Sequence, residues 1–149
     1  MTRTRRPAMI LGIVGLSALL FAGCTVVGGG TLPSETGAKK ATFGFTWITD
    51  NEEESTLAKG AWSDGYVKFK IVNGIIVTES ENGDGCGIGM GEYVSTNRAY
   101  PGGGQIIIQI CDNGEPGING DQLAISLDGD AYDGYSNEGT ITGGNLQVR

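Results

Sequence analysis

The segment Gln105-Ile106-Ile107-Ile108-Gln109-Ile110 decides the fold, because it is the strongest strand pattern in the chain. Isoleucine is β-branched and fits a pleated sheet, and a short apolar run next to turn residues is typical of a buried strand. The turn residues are Pro101-Gly102-Gly103-Gly104, directly before it. We therefore predict a central strand here and build the rest of the fold around it.

Shorter strand patterns lie on both sides of this segment. Large apolar residues alternate with small or polar residues in Ala41–Trp47 and again in Tyr66–Val72, where Lys68 and Lys70 face outward. Asn73-Gly74 predicts a turn after the second of these strands. Turn residues recur about every 8–12 positions and no long helical pattern occurs. The predicted fold class is all-β, a single antiparallel β-sandwich or a partly open barrel.

The N-terminal region has the pattern of an export signal. Arg3, Arg5 and Arg6 precede an apolar run of 14 residues, Met9 to Ala22. This run is shorter than the roughly 20 residues that span a bilayer. A basic region followed by a short apolar run and small residues is the pattern of a signal peptide, so we expect the segment to be removed. The end of this run and the two residues after it, Leu19-Leu20-Phe21-Ala22-Gly23-Cys24, resemble a bacterial lipobox. The resemblance implies cleavage before Cys24, a thioether lipid on its sulfur, and acylation of the new amino terminus.

The signal divides the chain into three predicted parts. Residues 1–23 are a removed lipoprotein signal peptide, 24–40 a lipidated cysteine with a Gly/Pro-rich tether that ends in an edge strand at most, and 41–149 a β domain. Arg5-Arg6 leaves twin-arginine export open beside the general route. The predicted location is the cell membrane or the outer membrane, with the domain on the exported side.

Charge and composition exclude several functions. Cleavage leaves 126 of the 149 residues, with seven Lys/Arg and all 17 Asp/Glu, a net charge of about −10. Such a charge repels phosphate backbones, so we predict no nucleic-acid partner. The chain contains no histidine. Triads with a histidine base and histidine-ligated zinc are therefore excluded.

Three cysteines occur in the chain. If Cys24 carries lipid, Cys86 and Cys111 remain, and two thiols in an oxidising compartment usually pair. We predict a Cys86–Cys111 disulfide.

Four short motifs together resemble one family. They are Gly28-Gly29-Gly30-Thr31 with Pro33-Ser34, Ala41–Phe45, Cys111–Gly117 and Gly143–Val148, and Gly60, Trp62 and Asp64 stand where the family has a glycine, a tyrosine and an aspartate. The series resembles the post-COAP type of bacterial secreted domain, a β-rich module of undefined activity. The resemblance covers the mature chain and implies an exported β fold without naming a ligand.

Two loops contain oxygen ligands of the kind that calcium prefers. In the first, Asp112, Asn113, Glu115 and Asp121 are candidate ligands, but the glycines and proline of this loop are explained equally well by a hairpin turn. In the second, Asp128, Asp130 and Asp133 lack the spacing of an EF-hand. We predict a structural turn at residues 112–121 and no cofactor, with calcium as the alternative.

Aromatic and acidic residues leave two further functions open. The aromatic candidates for a ligand platform are Trp47, Trp62, Tyr66, Tyr93, Tyr100, Tyr132 and Tyr135. Paired carboxylates would suit a small glycoside hydrolase, but no pair stands out among the acids. We predict a membrane-anchored, non-catalytic β domain with a structural or binding role, its partner an envelope protein or a glycan. The alternatives are a carbohydrate or surface-ligand binding module and a small carboxylate-based hydrolase.

Overall fold

The computed structural model describes residues 25–49, 56–79, 86–114 and 120–148. It contains nine strands, whose bounds are β1 Thr25–Leu32, β2 Ala41–Thr49, β3 Thr56–Asp64, β4 Val67–Glu79, β5 Cys86–Ser95, β6 Gly103–Cys111, β7 Gln122–Gly129, β8 Ser136–Thr140 and β9 Gly143–Val148.

The strands form one antiparallel sheet in the order β8-β7-β6-β5-β4-β3-β2-β1-β9. Strands β1 to β8 follow one another as a meander, and β9 returns to pair with β1. The sheet curls into a half-barrel around a single core. The predicted all-β antiparallel fold is confirmed, and the architecture is the partly open barrel, because all nine strands belong to one continuous sheet.

Strand β6 lies in the interior of the sheet, as its sequence predicts. It pairs with β5 on one side and β7 on the other, although the middle strand of the nine is β4. Ile106, Ile108 and Ile110 are buried, whereas Ile107 faces outward and is exposed. The alternation follows from the two-residue period of a strand whose outer face meets solvent.

The segment 24–40, predicted as a tether, differs from the structure in its first half. Residues Thr25–Leu32 form β1, which pairs with β2 and β9 and is therefore not an edge strand. Leu32 is fully buried in the core. The glycines that suggested flexibility instead permit close packing, since a Cβ at Gly30 would lie 2.1 Å from the carbonyl oxygen of Gly143.

The turn predicted at Asn73-Gly74 is absent, because β4 runs straight through it. A register shift between Ile71 and Asn73 marks a bulge in the pairing with β5. Gly91 of β5 pairs with Gly74, and a Cβ at Gly91 would be 2.3 Å from the Asn73 carbonyl oxygen. Bulges bend strands, so the bulge at Asn73 contributes to the curl of the sheet.

Aromatic rings form a continuous row inside the half-barrel, one strand after another. Phe43 stacks on Trp62 at a ring-centroid distance of 6.4 Å, and Trp62 stacks on Phe69 at 6.3 Å. Tyr93 continues the row from Phe69 at 5.3 Å. The row crosses β2, β3, β4 and β5, and it ends beside the loops that follow β5 and β7.

Two buried side chains tie the open edge of the half-barrel together. Asp121 accepts hydrogen bonds from the backbone amides of Asn113 and Leu146, and its carbonyl oxygen accepts one from Ile141. Asn137 of β8 donates from Nδ2 to the Pro33 carbonyl oxygen after β1. These bonds connect β7 and β8 to β9 and β1, which are far apart in the sheet order.

Candidate functional site

Three tyrosines from separate turns meet at one end of the half-barrel. Tyr66 lies in the turn between β3 and β4, Tyr100 in the loop before β6, and Tyr132 in the loop between β7 and β8. The ring centroids of Tyr66 and Tyr100 are 5.1 Å apart, and Tyr132 lies 6.5 and 6.1 Å from them. The antiparallel register brings these turns to the same end of the sheet.

Tyr132 is the buried base of this cluster. Its ring stacks on Tyr93, the last ring of the interior row, at 6.1 Å. Its hydroxyl oxygen accepts a hydrogen bond from the Lys68 amide at 3.1 Å and lies 2.8 Å from Ser95 Oγ. The base is therefore fixed to both β4 and β5.

Tyr66 and Tyr100 are exposed on this base. Their side chains are 49% and 43% solvent-accessible. The backbone beneath them is held in place, because Asn97 Nδ2 donates to the Tyr66 carbonyl oxygen at 2.7 Å and the Tyr100 amide donates to the Asn97 carbonyl oxygen. Large exposed rings on a rigid backbone lose little conformational entropy on contact with a ligand.

A groove of about 500 Å³ opens beside these rings, here called the tyrosine groove. Its lining residues are Glu35, Tyr66, Val67, Tyr100, Ala131, Tyr132, Asp133, Gly134, Tyr135 and Ser136. Two of them, Glu35 and Asp133, carry exposed carboxylates, and none is a lysine or arginine. The groove therefore combines aromatic surface with hydrogen-bond acceptors.

Directly behind the groove lies a buried carboxylate, Asp64, with 0% exposure. It accepts hydrogen bonds from five groups: Ser34 Oγ, the Glu35 amide at 3.0 Å, Thr36 Oγ1 at 3.0 Å, the Tyr135 hydroxyl at 2.6 Å and Asn137 Nδ2 at 3.3 Å. The Tyr135 hydroxyl in turn accepts from Trp62 Nε1 at 3.2 Å. This network fixes the β1–β2 loop, which carries Glu35, against β3 and β8.

Burial and hydrogen bonding shift the pKa of Asp64 in opposite directions. Burial raises the pKa of a carboxyl group, but the bonds from Ser34, Tyr135, Glu35 and Thr36 outweigh it, and the pKa of Asp64 lies below its ordinary value. The pKa of Tyr135 is raised, first by burial and then by its bond to the Asp64 carboxylate. Asp64 is thus a charged structural group whose two carboxylate oxygens already accept five hydrogen bonds. A carboxylate in such a network does not suit the role of a general acid or base.

The structure separates the aromatic residues that the sequence proposed for a ligand platform. Tyr66 and Tyr100 are exposed together, Tyr135 is half-buried at the groove wall, and Tyr132 is the buried base. Trp62 and Tyr93 are buried in the core. The side chain of Trp47 lies outside the described part of the chain.

The candidate calcium loop forms turn contacts where it is described. Asp112 Oδ1 accepts from the Gly114 amide at 3.0 Å, an Asx turn, and Asn113 Nδ2 donates to the Gly120 carbonyl oxygen. Both carboxylate oxygens of Asp121 accept backbone amides. Glu115 lies outside the described residues. Within residues 25–49, 56–79, 86–114 and 120–148, no group of three or more Asp, Glu or Cys could hold a metal, and this includes Asp128, Asp130 and Asp133.

The predicted disulfide is confirmed. Cys86 and Cys111 are directly opposite in the β5–β6 register and are bonded, with their Cα atoms 4.0 Å apart. The bond lies at the end of the sheet opposite the tyrosine groove. The other prediction for a cysteine, lipidation of Cys24, lies outside the described residues, as do the signal peptide and the acidic stretch 50–54.

Comparison with known proteins gives no match to a family model, a curated protein or a solved structure. No helix in the described segments is long and apolar enough to cross a bilayer.

Sequence reasoning missed the role of Asp64. Asp64 was named only as one of three residues that match the family pattern, with Gly60 and Trp62, and no contact was predicted for it. The available signal was an aspartate at the end of a strand that alternates inward at Gly60, Trp62 and Asp64, and hence faces the core. Its donors at Ser34 and Asn137 are 30 and 73 residues away, and no local pattern connects them.

Proposed function

We propose that this chain is a lipid-anchored protein of the cell envelope whose β domain binds a ligand in the tyrosine groove and has no catalytic role. The observation that carries the proposal is the exposure of Tyr66 and Tyr100 on a base, Tyr132, that is fixed by hydrogen bonds. Exposed aromatic rings that converge beside a groove are typical of a binding site.

The proposed anchor is Cys24, whose lipid would hold the domain on the cell membrane or the outer membrane. Stable anchoring needs more than one acyl chain, which a thioether lipid and an acylated amino terminus together supply. The composition of the mature chain and its four family motifs agree with an exported post-COAP-like domain, and we include this relationship in the proposal.

Anchoring at Cys24 would also give the domain an orientation. Strand β1 begins at Thr25, one residue after Cys24, so the lipid would be joined to the start of a sheet strand without a linker. Val27 pairs with Thr46, which pairs with Lys59, so these three residues lie at the same level of the sheet. Strand β3 continues from Lys59 to Asp64, and Tyr66 therefore lies at the other end of the sheet. At a rise of about 3.3 Å per residue, the stretch from Lys59 to Tyr66 would put the groove about 20 Å farther from the anchor than Val27 is. The tyrosine groove would thus face away from the bilayer.

A photo-crosslinking residue at position 100 tests the binding role in intact cells. We expect Tyr100 substituted in this way to capture an envelope component, either protein or glycan. The same residue at Val72, which is comparably exposed on the outer face of β4, serves as the matched control. Equal capture at both positions would contradict a binding site in the groove.

A Cys24→Ala variant tests the anchor separately. We expect it to leave the membrane fraction or to accumulate as an uncleaved precursor. Recovery of a mature-sized variant with membranes at full yield would contradict lipid anchoring.

A further inference from the structure

We infer that the ligand of the tyrosine groove is a neutral polysaccharide chain, and that the chain continues from the groove along the outer face of β6, β7 and β8. This inference rests on the proposed binding function and adds the chemical class and the path of the ligand.

The path is a trough made of three adjoining depressions. The tyrosine groove shares Glu35 and Ser136 with a second depression of about 440 Å³ over β6–β8. The second shares Gln109, Ala124 and Glu138 with a third of about 390 Å³, which continues toward Thr140. Because each neighbour shares lining residues with the next, the three form one elongated surface.

The trough beyond the tyrosines is lined by groups that bind sugar hydroxyls. Its exposed polar lining residues are Glu35, Gln109, Gln122, Ser126, Ser136, Glu138 and Thr140, which provide carboxylate, amide and hydroxyl groups. Among the residues that the structure describes, no lysine or arginine lines any of the three depressions. With a net charge of about −10 on the mature chain, an anionic polymer would be repelled.

The tyrosine rings favour a sugar over a small cation. A cage for a quaternary ammonium needs a space between its aromatic faces, with the cation within about 6 Å of each centroid. Here Tyr66 and Tyr100 contact each other, with their centroids 5.1 Å apart and their planes tilted by 36°. The cluster therefore offers outward ring surface, on which the C–H face of a sugar ring stacks.

A folded protein partner fits this surface less well. The centre of a protein interface is apolar and depleted of charge. The middle of the trough has Ile107 and Ala124 as its outward-facing apolar side chains, and Glu35 and Glu138 line the same depression. A hydroxyl-rich chain meets such a surface without leaving these carboxylates unsatisfied.

Titration of the lipidated protein in detergent with N-acetylglucosamine and glucose oligomers of increasing length tests the inference. Sulfated oligosaccharide and polylysine serve as charge probes. We expect affinity for at least one neutral series to rise with length, and Tyr66→Ala to lower it by about tenfold. Ser126→Arg, which fills the trough, should abolish the gain with length. Thr42→Arg, exposed on the outer face of β2, is the matched control and should leave it unchanged.

The outcomes separate this inference from the proposed function. Binding of polylysine or of the sulfated oligosaccharide, with no neutral oligomer bound, overturns the polysaccharide inference and leaves the binding function standing. Capture of an envelope protein by the crosslinker at position 100, with no neutral oligomer bound, has the same meaning. Binding that does not grow with length, or that Ser126→Arg leaves intact, overturns the extended path. Neutral oligomers that bind equally well to Tyr66→Ala and the parent protein contradict the groove as the site. Equal melting temperatures of the variants confirm that each is folded.

Discussion

At the scale of single residues, Asp64 holds together the end of the molecule that carries the tyrosine groove. All five groups that donate to it are neutral, so its charge is stabilised by hydrogen bonds and not by an ion pair. Charge-assisted hydrogen bonds are stronger than neutral ones, and a carboxylate that accepts several of them stays ionised although it is buried. The β1–β2 loop and Tyr135 therefore keep fixed positions beside the groove.

Replacement of Asp64 tests this account through the pH dependence of stability. Because the folded-state pKa of Asp64 is lowered, its contribution is present above its unfolded pKa of about 3.9 and is lost as the pH falls through the folded value. We expect Asp64→Asn to lower the free energy of unfolding by about 3 kcal/mol at neutral pH. The gap to the parent protein should narrow as the pH falls below about 4. Denaturant melts across this range measure it.

Tyr135→Phe is the control for the carboxylate. It removes a donor to Asp64 and the acceptor of Trp62 Nε1, so we expect a loss of about 1–3 kcal/mol. The carboxylate and most of its donors remain, and acid sensitivity should persist. A gap between Asp64→Asn and the parent that stays constant at every pH would contradict the role given to the Asp64 charge.

At the scale of elements, the disulfide joins the ends of β5 and β6 away from the groove. We expect the Cys86→Ala and Cys111→Ala double variant to lose on the order of 3 kcal/mol, the value for a closed loop of this length in the chain-entropy model. Binding in the tyrosine groove itself should be unchanged in the folded variant, because the groove lies at the opposite end of the sheet, and only the far depression of the trough, which Cys111 lines, is altered. Equal stability of the variant and the parent in denaturant melts would show that the bond is dispensable.

The β6–β7 loop tests the structural-turn hypothesis against calcium. A metal that binds only the folded state raises stability by about 2.7 kcal/mol at a hundredfold excess over its Kd. Because both oxygens of Asp121 already accept backbone amides, we expect thermal melts in calcium and in chelator to agree, and Asp112→Asn to behave like the parent. A calcium-dependent rise in melting temperature that Asp112→Asn removes would make this loop a metal site.

The elements also show how far sequence patterns reach. Alternation correctly predicts that Lys68 and Lys70 of β4 face outward, because the period of two is a property of the strand itself. The apolar run of β6 did not show that Ile107 is exposed. The pair Asn73-Gly74 does not show by itself whether the chain forms a turn or a bulge, because both contain these residue types. Alternation also does not show that the glycines of β1 pack against β9, because that pairing depends on the closure of the whole sheet.

At the scale of the whole molecule, the register decides where the site lies. Tyr66 and Tyr100 are 34 positions apart in the chain, and they meet because β3–β6 pair in order as a meander. The candidate list from the sequence contained both tyrosines, but exposure could not be read from their spacing. The structure separates two exposed rings from the buried Trp62 and Tyr93, and so reduces that list to one surface.

The same topology makes the orientation of the domain measurable. If lipid on Cys24 holds the domain, as we propose, the tyrosine groove would face away from the bilayer, because β1 starts at Thr25 and the tyrosine turns lie at the far end of the sheet. The direct test is energy transfer from a fluorophore on the lipidated protein to acceptors in the lipid headgroups. Fluorophores at Arg98→Cys, in the exposed loop between β5 and β6, and at Val27→Cys, beside the anchor, give the two heights.

We predict weaker transfer from position 98, equivalent to about 20 Å of additional distance. Equal transfer from both positions, or stronger transfer from position 98, would contradict the orientation and with it the anchored binding domain.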